Sequence, residues 1–306
     1  DSFAAPLFPD ARSFLPNAAL VWWCFAGFET CCAMGEEFRH PQITLPRALI
    51  LAPFIVFAVN GLFQWVLLCA VPPETLSALA ESAAPYAEGM RAAGVVGFPL
   101  VLLCLGIAFG GDFSTLNACV NAPARYLYTM SRDGALPPFL QKLHPRFGTP
   151  VRAILLLGAV MLALVLTNSV EHIASLSLFA TLLYYILGIG AACGLRRRHP
   201  ELPRPCRAPW IALGAPVSAA LYLLMITQLD RSAVLAGIAW SAAGLLLYLF
   251  YGRRHYRAPE TDFSPLPPPE PPERAKLDRE FHRWRAAVVC AVLLVATLYL
   301  IAFLLG

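Results

Sequence analysis

The chain has 306 residues, 58% of them hydrophobic and 14% charged, with a mean hydropathy of +0.62 and a formal net charge of +4. Soluble domains carry about 25% charged residues, so an ordinary soluble enzyme or nucleic-acid-binding domain is excluded and lipid is the solvent this chain is built for. Crossing about 30 Å of hydrocarbon takes about 20 apolar residues in a helix, and such runs recur along the whole sequence.

In chain order, residues 1–16 read as an outer loop, and spans are expected at 17–38, 47–71, 94–124, 152–167, 171–194, 209–228, 232–252 and 285–305. The fold class is therefore an all-α polytopic membrane protein of about eight spans. With the N-terminus outside, all but Arg12, Arg91 and Arg231 of the 23 Lys and Arg fall on the inner side. That asymmetry satisfies the positive-inside rule, puts both termini outside, and explains the net charge by orientation against an anionic inner leaflet, with no nucleic-acid partner. The expected localisation is the plasma (inner) membrane.

The first span carries WWCFAGFETCCAMGEEF. A carboxylate, Glu29, and a glycine, Gly27, sit inside an otherwise apolar run. A helix broken at mid-membrane exposes backbone polar groups that lipid does not tolerate, so a break survives only where it lines a cavity or holds a polar ligand. Two readings follow from spacing alone: Glu29 and Gly27 serve helix packing, or they open a ligand site. In the second span Asn60 and Gln64 form a modest polar stripe. The segment 72–93 has the Ala and Glu content of a helix and reads as a lid on the outer face. The third span carries Asp112, Ser114, Thr115, Asn117 and Asn121; Ser114, Asn117 and Asn121 share one helical face, which either lines a transport path or hydrogen-bonds a neighbouring helix. Asp112 follows Gly110 and Gly111 and needs water or a partner.

The inner segment 131–150 is punctuated by Gly134, Pro137, Pro138, Gly148 and Pro150. Residues 195–252 hold two peripheral helices. Residues 253–284 form a cytoplasmic linker, proline-rich and extended over 257–273, and 285–306 a last span that reads as an appendage. Of the nine cysteines only Cys206 is in a loop and none is spaced CxxC, so they are apolar fillers and no disulfide framework or metal site is expected. No cofactor is expected, and HExxH, GxSxG and paired catalytic histidines are absent from the spans, which argues against an enzyme.

The run WWCFAGFETCCAMGEEFRHPQITLPRAL resembles the sixth-helix signature of the amino acid–polyamine–organocation permeases, and STLNACVNAPARYLYTMSRDGALPPFLQKLHPRFGTP, 114–150, resembles their eighth-helix region. The resemblance covers about residues 17–252. It implies a partial LeuT fold, two inverted five-helix repeats around broken helices, of which 17–194 is similar to the second; a missing N-terminal five-helix repeat is expected elsewhere. It implies secondary transport of an amino acid or related amine by alternating access, with H+ or Na+ as coupling ion and membrane lipid as surroundings. It places substrate at Trp23, Cys24, Phe25, Ala26, Gly27 and Glu29, with Asn117 and Asn121, and coupling or gating at Asp112, Ser114, Thr115, Glu36, Glu37 and Arg39. Trp23 takes the aromatic gate position, the carbonyls of Trp23, Cys24 and Ala26 face an ammonium group, and Glu29 organises the site or relays a proton. The alternative class is a non-transporting membrane sensor or scaffold with the same fold.

Overall fold

The computed structural model describes residues 11–79, 82, 84–166, 170–202, 204, 208, 210–257 and 266–305; the expected outer loop 1–16 lies mostly outside them. Among the described residues every regular element is a helix. The chain divides into two compact units: unit 1 holds Thr44–Ala118 and Pro268–Gly306, and unit 2 holds Asp10–Ile43 and Cys119–Pro267.

Among the described residues six helical stretches are long and apolar enough to cross a membrane: Phe14–Gly35, Pro41–Ala70, Phe98–Arg132, His172–Arg198, Arg231–His255 and Pro271–Ala302. The chain is an integral, multi-pass membrane protein. Two further expected spans coincide with shorter apolar helices, α7 (Val151–Val165) and α9 (Ile211–Ile226). At 15 and 16 residues these rise about 22–24 Å, short of the hydrocarbon thickness. Spans carry large apolar side chains outward, such as Leu187 at 65% and Trp240 at 73% exposure; in lipid these have nothing to gain from burial.

In unit 2, α1 (Ala11–Trp23) stops at the expected break and a 3₁₀ helix runs from Phe28 to Glu37. The second half of α6 (Phe113–Arg132), then α7, α8 (Val170–Arg198), α9, α10 (Arg231–Leu247) and the short α11 (Arg253–His255) complete the unit. Ala19 of α1 and Leu178 and Leu182 of α8 are buried together, with Trp22, Tyr222 and Met225 packed on them. Gly237 lets α10 approach α8: a Cβ there would stand 2.1 Å from the Phe179 ring. Tight packing through a missing side chain is how membrane helices associate where the hydrophobic drive is absent.

The segment after α6 is latched to the end of the seventh expected span. The Arg257 N–H donates to the Asp133 carbonyl at 2.8 Å. Gly134, at φ +81°, lies so close that a Cβ would meet the His255 carbonyl oxygen at 2.1 Å.

Unit 1 holds most of α2 (Pro41–Ala70), then α3 (Pro73–Leu79), α4 (Pro85–Ala92) and α5 (Phe98–Leu105), a π-helical stretch Gly106–Asp112, the start of α6, and α12 (Pro271–Leu305). Helices α3 and α4 are the helical content expected of 72–93. α12 differs from the sequence reading. It starts at Pro271 and not near 285 because proline is pre-organised for a first helical turn and the residues after it, ERAKLDRE, are strong helix formers. Helix thus occupies 271–284 of the segment expected as a linker.

Candidate functional site at the helix break

Helix α1 ends in consecutive tight turns: the N–H groups of Cys24, Phe25 and Ala26 donate to the carbonyls of Val21, Trp22 and Trp23 at 3.1, 2.9 and 3.1 Å. The Trp23 carbonyl, expected to face an ammonium group, is thus already engaged by Ala26. Gly27 then turns the chain at φ +106°, ψ −20°, a conformation L side chains rarely adopt. Its N–H donates to Glu29 Oε2 at 2.9 Å, and its carbonyl accepts from the Thr30 hydroxyl at 2.7 Å. Glu29 therefore caps the break. A charged acceptor on an orphan N–H is a strong hydrogen bond, and it leaves the second carboxylate oxygen for other partners.

Glu29, Thr30 and Ala33 line a cleft of about 600 Å³ with Arg125, Tyr126, Thr129 and Met130 of α6 and Tyr184 of α8. The Tyr126 and Tyr184 hydroxyls pair, and the Glu29 carboxylate acts electrostatically on both. Beside them the Tyr185 hydroxyl is buried next to the Glu29 carboxylate. Its ring packs against Trp22 and Tyr222 at centroid distances of 5.4 and 5.8 Å. Trp22, not Trp23, is the tryptophan packed against aromatic neighbours; Trp23 is 45% exposed.

A second cleft, of about 630 Å³, is lined by Cys32, Gly35 and Phe38 beyond the break, by Tyr128 and Arg132 of α6, and by Leu266. Ala33, Arg125 and Thr129 line both clefts. Arg125 is ion-paired with Glu37, so a charged bridge joins the 3₁₀ helix to α6 where the clefts meet.

The structure brings Glu29 and Glu37 into this arrangement. It leaves Cys24, Phe25 and Ala26 in the turn itself. Arg39 is exposed at the end of the 3₁₀ segment, and the side chain of Glu36 lies outside the described residues. Asp112, Ser114, Thr115 and Asn117 belong to unit 1 and are exposed, Asn121 belongs to unit 2, and Ser114 Oγ donates to the Gly111 carbonyl at 3.3 Å. Asp112 closes the π-helical stretch, a wide backbone turn often found at functional positions. Sequence reasoning missed Arg125, Tyr126, Tyr184 and Tyr185. The signals were present: Arg125 and Tyr126 stand inside the ARYLY run, and the Tyr184–Tyr185 pair interrupts the aliphatic run LLYYILG. Among the described residues no group of His, Cys, Asp or Glu could hold a metal ion.

A family model described as amino acid permease matches residues 4–251. The chain belongs to the amino acid permease family. Relatives are named as transporters: an uncharacterised transporter of Mycobacterium tuberculosis (strain ATCC 25618 / H37Rv) is 34% identical over 233 residues, covering 76% of this chain and 51% of the relative. The methylthioribose transporter of Bacillus subtilis (strain 168) is 27% identical over 252 residues, 80% and 52% of the two chains. The branched-chain amino acid permease BcaP of the same organism is 26% identical over 247 residues, 78% and 50%. The permease-family chain thus spans about half the length of the curated relatives it matches, and the family is one of transporters and not of enzymes.

Proposed function

We propose that this permease-family chain forms one half of a secondary transporter for an amino acid or related amine in the plasma membrane, working by alternating access on a LeuT-type fold. Residues 17–194 act as the second five-helix repeat, and a complementary five-helix half comes from outside residues 1–306. The observation that carries the reading is the break at Gly27, capped by Glu29 and opening on a cleft walled by α6 and α8.

In this reading the substrate ammonium group meets the exposed backbone around Ala26 and the carboxylate of Glu29. Binding there replaces hydration by fixed dipoles, which a polar cleft can supply and lipid cannot. The Arg125–Glu37 pair is the inner gate: closed, it separates the cleft at the break from the cleft beside Cys32 and Leu266, and opened, it joins them. Asp112, Ser114 and Thr115 serve ion coupling, with H+ or Na+ as the driving ion, and Asn117 and Asn121 serve substrate binding. The names of the relatives support amino acids as a substrate class and also admit a thiosugar, methylthioribose, for one of them.

The test is uptake of labelled amino acids into proteoliposomes holding the protein from its complete reading frame. Saturable, stereoselective uptake that an ion gradient accelerates is the expected result. Binding without uptake under any gradient would assign the break to a sensor.

A further inference from the structure

Helix α12 lies beyond the stretch that the permease family covers, residues 4–251. Within unit 1 it is docked on α2 at three levels. At the first, Arg47 is ion-paired with Asp278, donates to the Leu277 carbonyl at 3.1 Å, and lays its guanidinium over the Phe281 ring, 4.8 Å from the centroid. At the second, Gly61 leaves room for Val295: a Cβ on Gly61 would stand 2.7 Å from Val295 Cγ1. At the third, Tyr299 donates its hydroxyl to the Gly61 carbonyl at 3.2 Å and packs edge-on against Trp65, centroids 5.2 Å apart.

The contacts advance together along both helices, from Arg47 to Trp65 and from Asp278 to Tyr299, so α2 and α12 run parallel. That agrees with the charge asymmetry, which starts both helices on the inner side. Each level is specific in its own way. Only a planar guanidinium serves an ion pair, a carbonyl and an aromatic face together, so lysine is no substitute for Arg47. Only glycine permits the approach at 61. In lipid, where burying apolar surface gains nothing, a hydrogen bond to a helix carbonyl and backbone-close packing are what hold two helices together.

We infer that α12 is a built-in accessory helix, a brace that recognises α2 through Arg47 and Gly61 and moves with it as one body. The inference concerns α2 directly and bears on transport only through the helix it holds.

The test uses the protein from its complete reading frame in a background without its native cysteines, carrying Gly61→Cys and Val295→Cys. A Cβ on Gly61 lies 3.9 Å from the Val295 Cβ, inside the span of about 3.5–4.5 Å that a disulfide needs, and replacing valine by cysteine removes the branched methyl that a side chain at 61 would strike. The expected results are near-complete intramolecular cross-linking on mild oxidation, a raised thermal midpoint, and amino-acid uptake equal in the oxidised and reduced forms. Arg47→Lys and Arg47→Ala should each slow cross-linking by about fivefold or more, the loss of about 1 kcal/mol of docking. Absence of the cross-link, or cross-linking indifferent to Arg47, overturns the inference. So does uptake lost on oxidation and regained on reduction, because α12 would then slide along α2. If neither form takes up amino acids while the cross-link forms and depends on Arg47, the transport reading fails and the docked brace stands.

Discussion

Arg125 of α6 is ion-paired with Glu37 at the end of the 3₁₀ helix, and the arginine lines the clefts on both sides of that bridge. Both side chains are partly exposed, at 36% and 49%. Half-exposed pairs contribute at most about 1 kcal/mol to stability, so the contact is poorly suited to hold the fold and well suited to open and close.

Charge reversal separates these roles. Arg125→Glu and Glu37→Arg each place like charges across the bridge, and each should lower uptake about tenfold, equivalent to about 1.4 kcal/mol. The double reversal should recover most of it while all three variants express alike. Cys32, exposed and lining the second cleft, gives an independent readout: its alkylation by a charged reagent from the inner side should quicken in the single reversals and return to the parent rate in the double. Equal labelling in all forms would remove the gate.

Gly134 carries two constraints at once, a positive φ of +81° and the 2.1 Å approach to the His255 carbonyl oxygen. A left-handed backbone costs a non-glycine residue about 1–2 kcal/mol, and here the Cβ also strikes backbone that cannot rotate away. Gly134→Ala should therefore lower the thermal midpoint in detergent by several degrees. Gly148, at φ +62° with open space around it, is the control: Gly148→Ala incurs only the conformational cost and should shift the midpoint less. A reversed order would mean that the latch does not exist.

Asp230 caps α10, accepting from the Ser232 hydroxyl and, at 3.3 Å, from the Ala233 N–H. Those bonds, the Ser232 hydroxyl first, hold its carboxyl below the usual carboxylate range, with His172 assisting across the 3.2 Å contact to Ser232. Because the folded state binds this proton less readily than the unfolded chain, the stabilisation is present above the unfolded pKa of about 3.9 and fades as pH falls through the folded value. The thermal midpoint should thus decline more steeply below about pH 4 in the parent than in Asp230→Asn, whose amide still caps but does not titrate. Parallel pH profiles would show that this cap carries no pH dependence.

How much was legible in the sequence depended on whether a feature was written locally. Span periodicity and the charge asymmetry are local, and the permease resemblance rests on two contiguous runs. The break was legible because Gly27 and Glu29 violate the apolar pattern in adjacent turns. Arg125 was read as an inner-loop cation because its partner, Glu37, lies far off in sequence, and Tyr184 and Tyr185 passed as ordinary span aromatics because hydroxyl partners on α6 and at the break cannot be read from one helix. α12 was read as an appendage for the same reason: Arg47 belongs to a recognisable Pro-Arg run, but nothing near it in the chain names Asp278, Leu277 and Phe281 as its partners. Where contacts span more than two hundred residues, periodicity is silent.

Gly27 gives the sharpest test of the break. A Cβ there would meet nothing within 4 Å, so the position is constrained by backbone conformation and not by space. Leucine at φ +106° is strained by about 1–3 kcal/mol, and a leucine here has a ready escape: it can extend α1 across residues 24–27, satisfying by helix hydrogen bonds the groups that Glu29 now caps. Gly27→Leu should therefore express normally, with a thermal midpoint equal to or above the parent's, and yet lose uptake and substrate binding together. The opposing outcome is equally clear. If Gly27 were a packing site, leucine would lower stability first and uptake only in proportion to the folded protein remaining, and near-parental uptake per folded molecule would dismiss the break as the substrate site.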